Sequence, residues 1–474
     1  MHFGLDPYIK YVEYFVFVAS FLLSVFWRPV VGIFYLLPLI PLQTIRYRLN
    51  DLPLGQSVVG IILLGIVLGL LRRGQPVFPK TPWTKVLCVY IGFTFFSLFL
   101  GSFYLRRSLP LPGDPRFGVW QDYVTMPSLL LLTAAIAPSR REMRAIVLVM
   151  CLATLVLNHN FWDVVSGRDF STYSDDLREG SNMGYAGTNG LAAFEAQTAS
   201  FLLALGLWER KPALRIGYYA LAAFSALCLT YSLSRGGYVA ILAGWLFLGL
   251  VKERKLLILL VGFCLTWTSL VPAAVQQRVL MTYDSQRGSV DHSAATRLSI
   301  WDNAIQVFDT NVALGTGFNT YAYMHLNKRT DGGEGYYEDT HNFFLKVLVE
   351  TGVIGAIIFL WLLAKTFGAG YMLFRRAQDP FFASLGLGLA AWLVCSIAAN
   401  FFGDRWTFLQ VNGYMWVLGG LVSRAIALEQ SGTSAAGEDG SADAGIVGQQ
   451  TLAAPHLEQI ETIASLEGLR ATTV

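Results

Sequence analysis

Three polar side chains in the connections between long apolar segments of this sequence are of types that can do chemistry. The first, Arg235, lies in YSLSRGGYVA, between two apolar runs that are joined only by a Ser-Arg-Gly-Gly turn. A guanidinium in so tight a turn must start near a membrane surface, and the two glycines allow positive φ and close backbone packing. Arginine offers a rigid fork of donors that matches phosphate oxygens. Arg235 is therefore a candidate phosphate ligand; an interfacial arginine that snorkels to lipid head groups is the alternative.

The second candidate is Arg297, in ATRLSIWDNAIQVF. Leu298, Trp301, Ile305 and Phe308 follow helical spacing there, which predicts an amphipathic helix on the outer face of a membrane. Arg297 lies at the edge of this apolar stripe. Its guanidinium either enters a cavity or stays among lipid head groups, and the spacing alone does not decide between the two.

The third candidate is His341, which with Asn342 precedes a long apolar run in DTHNFFLKVLVETGVIG. Histidine exchanges a proton near neutral pH more readily than any other side chain, so His341 is a candidate acid–base group. A hydrogen-bonded interfacial histidine is the alternative. Further along the run, Lys346 and Glu350 are spaced to form a helical ion pair, which makes Glu350 a structural residue.

Other polar groups enter the apolar runs from the same side. Asn189 lies in the entry turn of TNGLAAFEAQ, and Glu195 and Gln197 follow inside the run, where they must be paired or face a polar cavity. Arg405 lies in FFGDRWTF, a short connection that we also predict on the outer side, and is a further candidate for substrate binding. In the long run after His341, Gly352 and Gly355 indicate a close helix-packing face.

Several other kinds of site are excluded. ALGTGFNTY has Thr320 where a dinucleotide loop needs its third glycine, and it lacks a βαβ context. Asp175 and Asp176 have no histidine or carboxylate cluster beside them, so we predict solvated loop acids and no metal site or cofactor. The net charge of +3 is too small to favour nucleic acid as a partner.

The elements that must position these residues are membrane helices. The sequence has 474 residues, of which 54% are hydrophobic and only 14% charged, whereas a soluble chain is about a quarter charged. A spanning helix needs about 20 mostly apolar residues. These patterns predict an all-α polytopic membrane protein with about 12–13 transmembrane helices. The predicted runs are 11–27, 30–45, 57–71, 85–105, 121–138, 142–158, 190–208, 215–233, 237–251, 255–275, 342–372, 384–402 and 409–427.

Basic loops set the predicted orientation. Short segments rich in Lys and Arg, such as APSRREMR, ERKPALR and VKERK, alternate with the other connections and belong in the cytoplasm. The segments 159–189, about 276–340 and FFGDRWTF then face outward, as does the turn at Arg235. We predict one membrane domain, residues 1–428, with a large periplasmic loop at about 276–340. A disordered, acidic cytoplasmic tail, residues 429–474, follows it.

Two outer arginines, an outer histidine and a polar-lined membrane cavity suit a lipid-linked pyrophosphate. Its anionic part would meet the arginines while its hydrocarbon chain lies between helices. If an acceptor hydroxyl attacks a sugar on that pyrophosphate, negative charge grows on the leaving group, and fixed arginines stabilise it without a metal ion. The histidine would orient or deprotonate the hydroxyl.

Four motifs also resemble successive signatures of the O-antigen ligase and O-antigen polymerase superfamily. They are SLSRGGYVA, then R-x3-W-x2-A (Arg297, Trp301, Ala304), then LGTGFNTY, then HNFFLKVLVETGVIG. TNGLAAF is similar to the family's N-x2-A element. The resemblance covers about residues 185–372; outside it only the pattern of spans is similar, and Glu195 is not part of the family pattern.

The resemblance implies a glycosyltransferase of the C-type membrane architecture. Such enzymes take a glycan from undecaprenyl pyrophosphate at the periplasmic face of the bacterial inner membrane. They pass it to a hydroxyl of lipid A core, of a growing polysaccharide or of a protein. By motif, Arg235 and Arg297 would bind the pyrophosphate and His341 would serve the acceptor, supported by Asn342. Asn189, Trp301 and Arg405 are expected to bind substrate.

Alternatives remain at this point. A polysaccharide polymerase and a protein O-oligosaccharyltransferase share the same motifs, so the fold does not identify the acceptor. A transporter of lipid-linked sugars would place polar groups near the middle of several spans and show inverted repeats, whereas this chain concentrates polar groups at one face. A membrane anchor or sensor would need a recognisable signalling domain.

Overall fold

The fold is seen in a computed structural model, which describes residues 6–185, 187–281, 283–284, 289–290, 292–324, 326–327, 336–337 and 339–438. Within these ranges the chain forms sixteen α-helices. They are α1 (Asp6–Phe26), α2 (Val30–Leu39), α3 (Gln43–Leu49), α4 (Val58–Arg72), α5 (Thr84–Leu105), α6 (Pro115–Ala135), α7 (Arg140–Val165), α8 (Thr188–Trp208), α9 (Pro212–Tyr231), α10 (Arg235–Val251), α11 (Lys255–Leu270), α12 (Ala273–Leu280), α13 (His292–Phe308), α14 (Phe343–Arg376), α15 (Pro380–Asn400) and α16 (Leu409–Glu438).

The helices confirm an all-α polytopic membrane protein. Among the described residues, nine helices are long and apolar enough to cross a membrane, and two bent pairs, α2 with α3 and α11 with α12, raise the number to eleven. Each of the predicted runs coincides with a helix or a bent pair. The lower number has two causes: α10 has 17 residues, the short limit for a spanning helix, and α6 carries polar residues such as Arg116 and Asp122.

Helices α8, α15 and α16 form the centre of the bundle. Most residues of α8 and α15 are buried on every side, which is typical of a helix that is apolar all round. Aromatic rings interlock between them, with Trp392 of α15 in edge-on contact with Phe194 and Phe201 of α8. Because this centre is closely packed, the ends of its helices are fixed relative to one another.

The bundle has two chemically different ends. At one end, Arg140 at the start of α7 forms an ion pair with Asp379, which caps α15. Lys252 lies 3.7 Å above the ring of Trp208 there, joining the ends of α10 and α8. We call this the basic end. Since α8 and α10 run from Thr188 and Arg235 toward it, those two starting residues lie at the opposite end, which we call the arginine end.

Helix α14 is interrupted near its beginning. Gly352 has φ 64° and ψ −171°, so the helical hydrogen bonds break there and neighbouring carbonyls are released. The segment around Gly315 fills the gap: the amides of Thr316 and Gly317 donate to the carbonyls of Val349 and Glu350 at 3.0 and 2.7 Å. The prediction that Gly352 belongs to a helix-packing face is therefore wrong, because this glycine makes the break.

The predicted ion pair between Lys346 and Glu350 is also wrong. The Glu350 carboxylate instead accepts hydrogen bonds from the backbone amides of Asn319 and Tyr321, at 2.9 and 3.1 Å. Lys346 donates to Asp404 at 2.6 Å. The break in α14 explains the difference, since it brings unpaired backbone amides within reach of the carboxylate. Glu350 has the structural role that the sequence indicates, through different partners.

Replacing Gly352 by alanine is expected to destabilise the protein. An added Cβ would lie 2.6 Å from the Gly315 nitrogen and closer still to the Ala313 oxygen, at a φ that side chains avoid. The strain alone costs about 1–3 kcal/mol. Thermal unfolding in detergent should show a clear fall in melting temperature. Gly368→Ala is the matched control on the same helix, because a Cβ there meets nothing within 4 Å; an equal fall in both variants would contradict this account.

In the connection between α11 and α14, the described residues form two α-helices and two short β-ladders. Tyr283–Asp284 (β1) pairs with Ser289–Val290 (β2), and Leu326–Asn327 (β3) pairs with Tyr336–Tyr337 (β4), both antiparallel. The predicted helix is confirmed as α13, but the predicted face is only partly right. Ile300 and Ala304 are buried against Tyr321 and Val349, whereas two members of the predicted stripe are about half exposed, Leu298 and Ile305.

The chain has a compact unit, Met1–Glu429, and a second unit from Gln430. Helix α16 extends past this boundary to Glu438, so the first residues of the predicted tail are helical. The remainder of the predicted disordered tail, residues 439–474, lies outside the described residues.

Candidate functional site

A cavity with about 490 Å³ of empty space opens at the arginine end. Five arginines line it, each from a different part of the chain. They are Arg178, Arg235, Arg278, Arg297 and Arg405. We call this set the arginine cluster. Asn189, Ser234 and Phe402 complete much of the wall, and the lining contains no carboxylate from the residues that the structure describes.

The turn before α10 places Arg235 in this cavity. Ser234 caps α10 and accepts a hydrogen bond from the Gly237 amide at 3.3 Å. Its hydroxyl donates to Asn189 Oδ1 at 2.7 Å, which joins the start of α10 to the start of α8. A Cβ at Gly237 would collide with Ala192 of α8, so glycine permits this close approach. The predicted close packing of the Arg235 hairpin follows from these contacts.

Arg178 extends the same network. Its guanidinium donates to Thr188 Oγ1 at 2.7 Å and to Asn189 Oδ1 at 3.1 Å. The short turn that carries Arg178 is held by Arg168, whose guanidinium donates to the carbonyls of Leu177 and Glu179, both at 2.8 Å. Arg178 is therefore fixed by the loop that follows α7 and reaches the cavity from the side of α8.

The bend between α11 and α12 brings in Arg278. The two helix axes differ by 112°, so α12 turns across the end of the bundle instead of continuing along it. The guanidinium of Arg278 lies 4.9 Å from the ring centroid of Tyr173, a cation–π contact. Its Nε is buried and has no hydrogen-bond partner among the described residues. A buried donor of this kind is costly unless a ligand satisfies it.

Arg405 lies between α15 and α16, outside the spanning helices. Its amide donates to Asn400 Oδ1 at 2.9 Å, which fixes the backbone, while its Nε is buried without a partner in the described part of the chain. Burial, together with the charges of Arg297 and Arg178, lowers the pKa of Arg405 to about 10 against the opposing effect of Asp339. Arg405 remains positive at neutral pH, and its environment favours binding of a negative charge.

Together, these guanidiniums form a candidate anion site. Like charges held this close repel one another, so a bound anion relieves the repulsion as well as forming charge-assisted hydrogen bonds. Arginine matches phosphate oxygens with paired donors, and five arginines supply enough donors for two phosphate groups. The arrangement can therefore bind a diphosphate and stabilise negative charge that grows on it.

His341 is not among the lining residues but is tied to the cluster through α13. Trp301, one helical turn after Arg297, donates from its indole Nε1 to the Thr340 carbonyl at 3.0 Å. Thr340 directly precedes His341, whose side chain is 46% exposed. An imidazole beside the cavity and open to solvent can meet a second substrate while the arginines hold the first.

The other predicted site residues occupy three different positions. Asn189 and Arg405 line the cavity. Asn342 caps α14 by accepting from the amides of Phe344 and Leu345 at 3.1 and 3.2 Å, and it thereby fixes the residue next to His341. Trp301 has the tethering contact just described. Their expected substrate contacts remain predictions.

Glu195 and Gln197, the two groups predicted inside α8, each have a side-chain partner. Gln197 donates to Asn412 Oδ1 at 3.2 Å. Glu195 is fully buried beside Asn158, whose amide donates to it at 2.9 Å in the orientation that satisfies both groups. Asp175 and Asp176 are exposed, and the described ranges contain no group of three His, Cys, Asp or Glu side chains arranged to hold a metal ion.

Sequence reasoning missed Arg178, Arg278 and Asp339. Arg178 belongs to SDDLREG, in which the two acids beside the arginine indicate an ordinary solvated loop. Arg278 follows Val271-Pro272, and a proline just after an apolar run is a helix-stop signal that predicts the bend. Asp339 was visible in DTHN, two residues before His341.

Comparison with known families identifies this region. Residues 220–360 match a family model described as O-antigen ligase. This match supports the resemblance of the chain to the O-antigen ligase and polymerase superfamily. No curated protein gives a significant match. The O-antigen ligase domain contains Arg235, Arg278, Arg297 and His341, whereas Arg178, Asn189 and Arg405 reach the cavity from outside it.

The match has coarse functional consequences. The helices indicate a multi-pass membrane protein, and the matched family implies an enzyme of the glycosyl-transfer type, related to lipopolysaccharide biosynthesis, with lipid-linked glycans as substrates. The arginine cavity at one end of the bundle has the chemistry that such a substrate requires.

Proposed function

We propose that this chain transfers a glycan from undecaprenyl pyrophosphate to an acceptor hydroxyl. The acceptor is lipid A core, a polysaccharide or a protein, and an O-antigen ligase is the form we favour. The observation that carries the proposal is the arginine cluster: five guanidiniums on one cavity, with no carboxylate among the described residues of its lining. Neutral sugars or lipid tails alone would not require such a site.

In the proposed reaction, the cluster binds the pyrophosphate and His341 serves the acceptor. The acceptor oxygen forms a bond to the anomeric carbon as the bond from that carbon to the pyrophosphate oxygen breaks. The electron pair of the broken bond leaves with the pyrophosphate, where the guanidiniums stabilise it. The hydroxyl proton passes to the imidazole. No metal ion has a part in this scheme, so transfer is expected to continue in a chelator.

We place this reaction at the periplasmic face of the bacterial inner membrane. The positive-inside rule assigns basic connections to the cytoplasm, and Arg140, Lys252 and their neighbours lie at the basic end. Arg235 lies at the opposite end. A substrate whose hydrocarbon chain lies between helices would reach the cavity from the outer leaflet.

The proposal is tested with the purified full-length chain in lipid nanodiscs. A lipid-pyrophosphate-linked glycan and the candidate acceptors are supplied, and the products are identified by mass spectrometry. We expect transfer to one acceptor class, with release of the lipid pyrophosphate, in the presence of a chelator. A strict need for a divalent ion, or movement of the donor across the membrane without transfer, would contradict the proposal.

A deletion strain then identifies the acceptor. Loss of long chains from lipid A core is expected for a ligase. Core capped with single repeats indicates the polymerase alternative, and normal lipid glycans with unglycosylated protein indicate an oligosaccharyltransferase. Unchanged glycans of all three kinds would overturn the proposed function.

A further inference from the structure

Asp339 uses both oxygens of its carboxylate on His341. Oδ1 accepts from the His341 backbone amide at 2.9 Å, and Oδ2 lies 3.3 Å from the ring Nδ1. His341 has φ 51°, a left-handed conformation that is unfavourable for a residue with a side chain. Such a conformation persists only where the surroundings impose it. Asp339 therefore constrains the backbone and the ring of His341 together.

The segment on either side of His341 is also fixed. Trp301 holds the carbonyl of Thr340, and the Thr340 hydroxyl donates to the carbonyl of Asn342 at 2.8 Å. The Phe343 amide donates to Gly403 at 3.1 Å, which anchors the start of α14. With its backbone held on both sides, the remaining freedom of His341 is mainly the rotation and protonation of its ring.

The carboxylate is charged when it makes these contacts. Burial raises the pKa of Asp339, but the hydrogen bonds and the charge of His341, together with the charge of Lys346, outweigh it, so the pKa lies below its ordinary value. An ionised carboxylate has no proton to donate and can only accept. The ring nitrogen that faces it must therefore carry the proton if the two are to be hydrogen-bonded.

We propose that Asp339 is a positioning residue that holds the His341 proton on Nδ1. The lone pair of Nε2 is then directed away from Asp339 and is available to the acceptor hydroxyl. In this respect the inference rests on the proposed function, whereas the tautomer itself does not. The general principle is that the group bonded to one ring nitrogen decides what the other can do.

The bidentate contact makes Asp339→Asn an informative variant. The His341 amide still requires an oxygen acceptor, so the asparagine oxygen stays at the Oδ1 position. The asparagine NH₂ then occupies the Oδ2 position and faces Nδ1 as a donor. Nδ1 must become the acceptor, and the proton moves to Nε2. A nearly isosteric substitution thus reverses the tautomer.

The direct test is nitrogen NMR of the full-length protein in nanodiscs with ¹⁵N-labelled histidine. The chain has only six histidines, and loss of one signal in His341→Gln identifies the residue. At a pH where the ring is neutral, we expect protonated Nδ1 in the wild type and protonated Nε2 in Asp339→Asn. The same tautomer in both proteins would overturn the proposal. The other histidine signals report whether the variant is folded.

Asp404→Asn is the charge control. Asp339 and Asp404 both act electrostatically on Arg405, but Asp404 contacts Lys346 instead of His341. We expect Asp404→Asn to keep the wild-type His341 tautomer. If it reversed the tautomer as well, a general charge effect would replace the positioning role.

The kinetic consequence is a fall in kcat without a change in donor KM. Asp339→Asn should lower kcat by about 10²-fold or more, within the usual range for general base catalysis. A reversed tautomer with unchanged kcat would overturn the positioning role. Full activity of His341→Gln would instead contradict the proposed function, and the tautomer result would still stand, so the two failures are distinguishable.

Discussion

Replacing Arg235 by alanine is expected to lower the rate of glycan transfer by about 10²- to 10³-fold, the typical loss for one preorganised donor at a developing charge. Arg235 begins α10 and lies in the cavity with Arg278 and Arg297, and the hydrogen bond from Ser234 to Asn189 fixes the turn that carries it before the donor arrives. The effect should appear mainly in kcat, because charge on the leaving pyrophosphate increases in the transition state. Single-turnover transfer with a saturating donor measures it.

Two further substitutions sharpen this prediction. Arg235→Lys keeps the charge but loses the planar fork, and should fall between wild type and Arg235→Ala. Arg215→Ala removes an exposed arginine of α9 that does not belong to the cluster, and should leave transfer unchanged. If Arg215→Ala lost as much activity as Arg235→Ala, net charge and not the cavity would explain the effect.

Replacing His341 by glutamine is expected to lower transfer by about 10²- to 10⁴-fold, the range for loss of a general base. The side chain is not among the residues that line the arginine cavity, and its segment is tethered to the cavity through Thr340 and Trp301. Donor affinity should therefore remain near the wild-type value while kcat falls. Titration with the lipid-linked donor and measurement of transfer under saturating acceptor separate the two quantities.

The control for His341→Gln is a histidine away from the site. His159 lies near the end of α7, pairs with Asp163 and is 70% exposed. His159→Gln should transfer at the wild-type rate. Near-normal transfer by folded His341→Gln would contradict the role of His341 as the base that serves the acceptor.

Much of the fold and part of the site followed from the sequence. The length of an apolar run is a local property of the sequence. Each predicted span therefore coincides with a helix or a bent pair of helices. The tight Ser-Arg-Gly-Gly turn and the stripe beside Arg297 placed two arginines at one end of the bundle. Arg405 is a predicted site residue because its short connection is predicted on the same side of the membrane as Arg235. These predictions needed only the local sequence pattern and the side of the membrane on which each connection lies.

What the sequence left open depends on contacts between distant segments. Arg178 reaches the cavity because Arg168 fixes its turn, and Arg278 does so because α12 bends across the bundle. The pairing of Lys346 with Asp404, and not Glu350, depends on the break in α14. Local spacing carries no information about such partners. The exposed Leu298 shows the same limit, since helical spacing identified a stripe but not the face that packs.

The most direct test of the central claim is the equilibrium affinity of the purified protein for undecaprenyl pyrophosphate in nanodiscs. We expect the wild type to bind undecaprenyl pyrophosphate far more tightly than undecaprenol. Arg235→Ala and Arg297→Ala should each weaken binding by about 10- to 10²-fold, which corresponds to loss of a charged hydrogen bond of about 1.5–3 kcal/mol. His341→Gln should bind like the wild type. Equal affinity for undecaprenol, or unchanged affinity in both arginine variants, would contradict the claim that this cavity binds a lipid pyrophosphate.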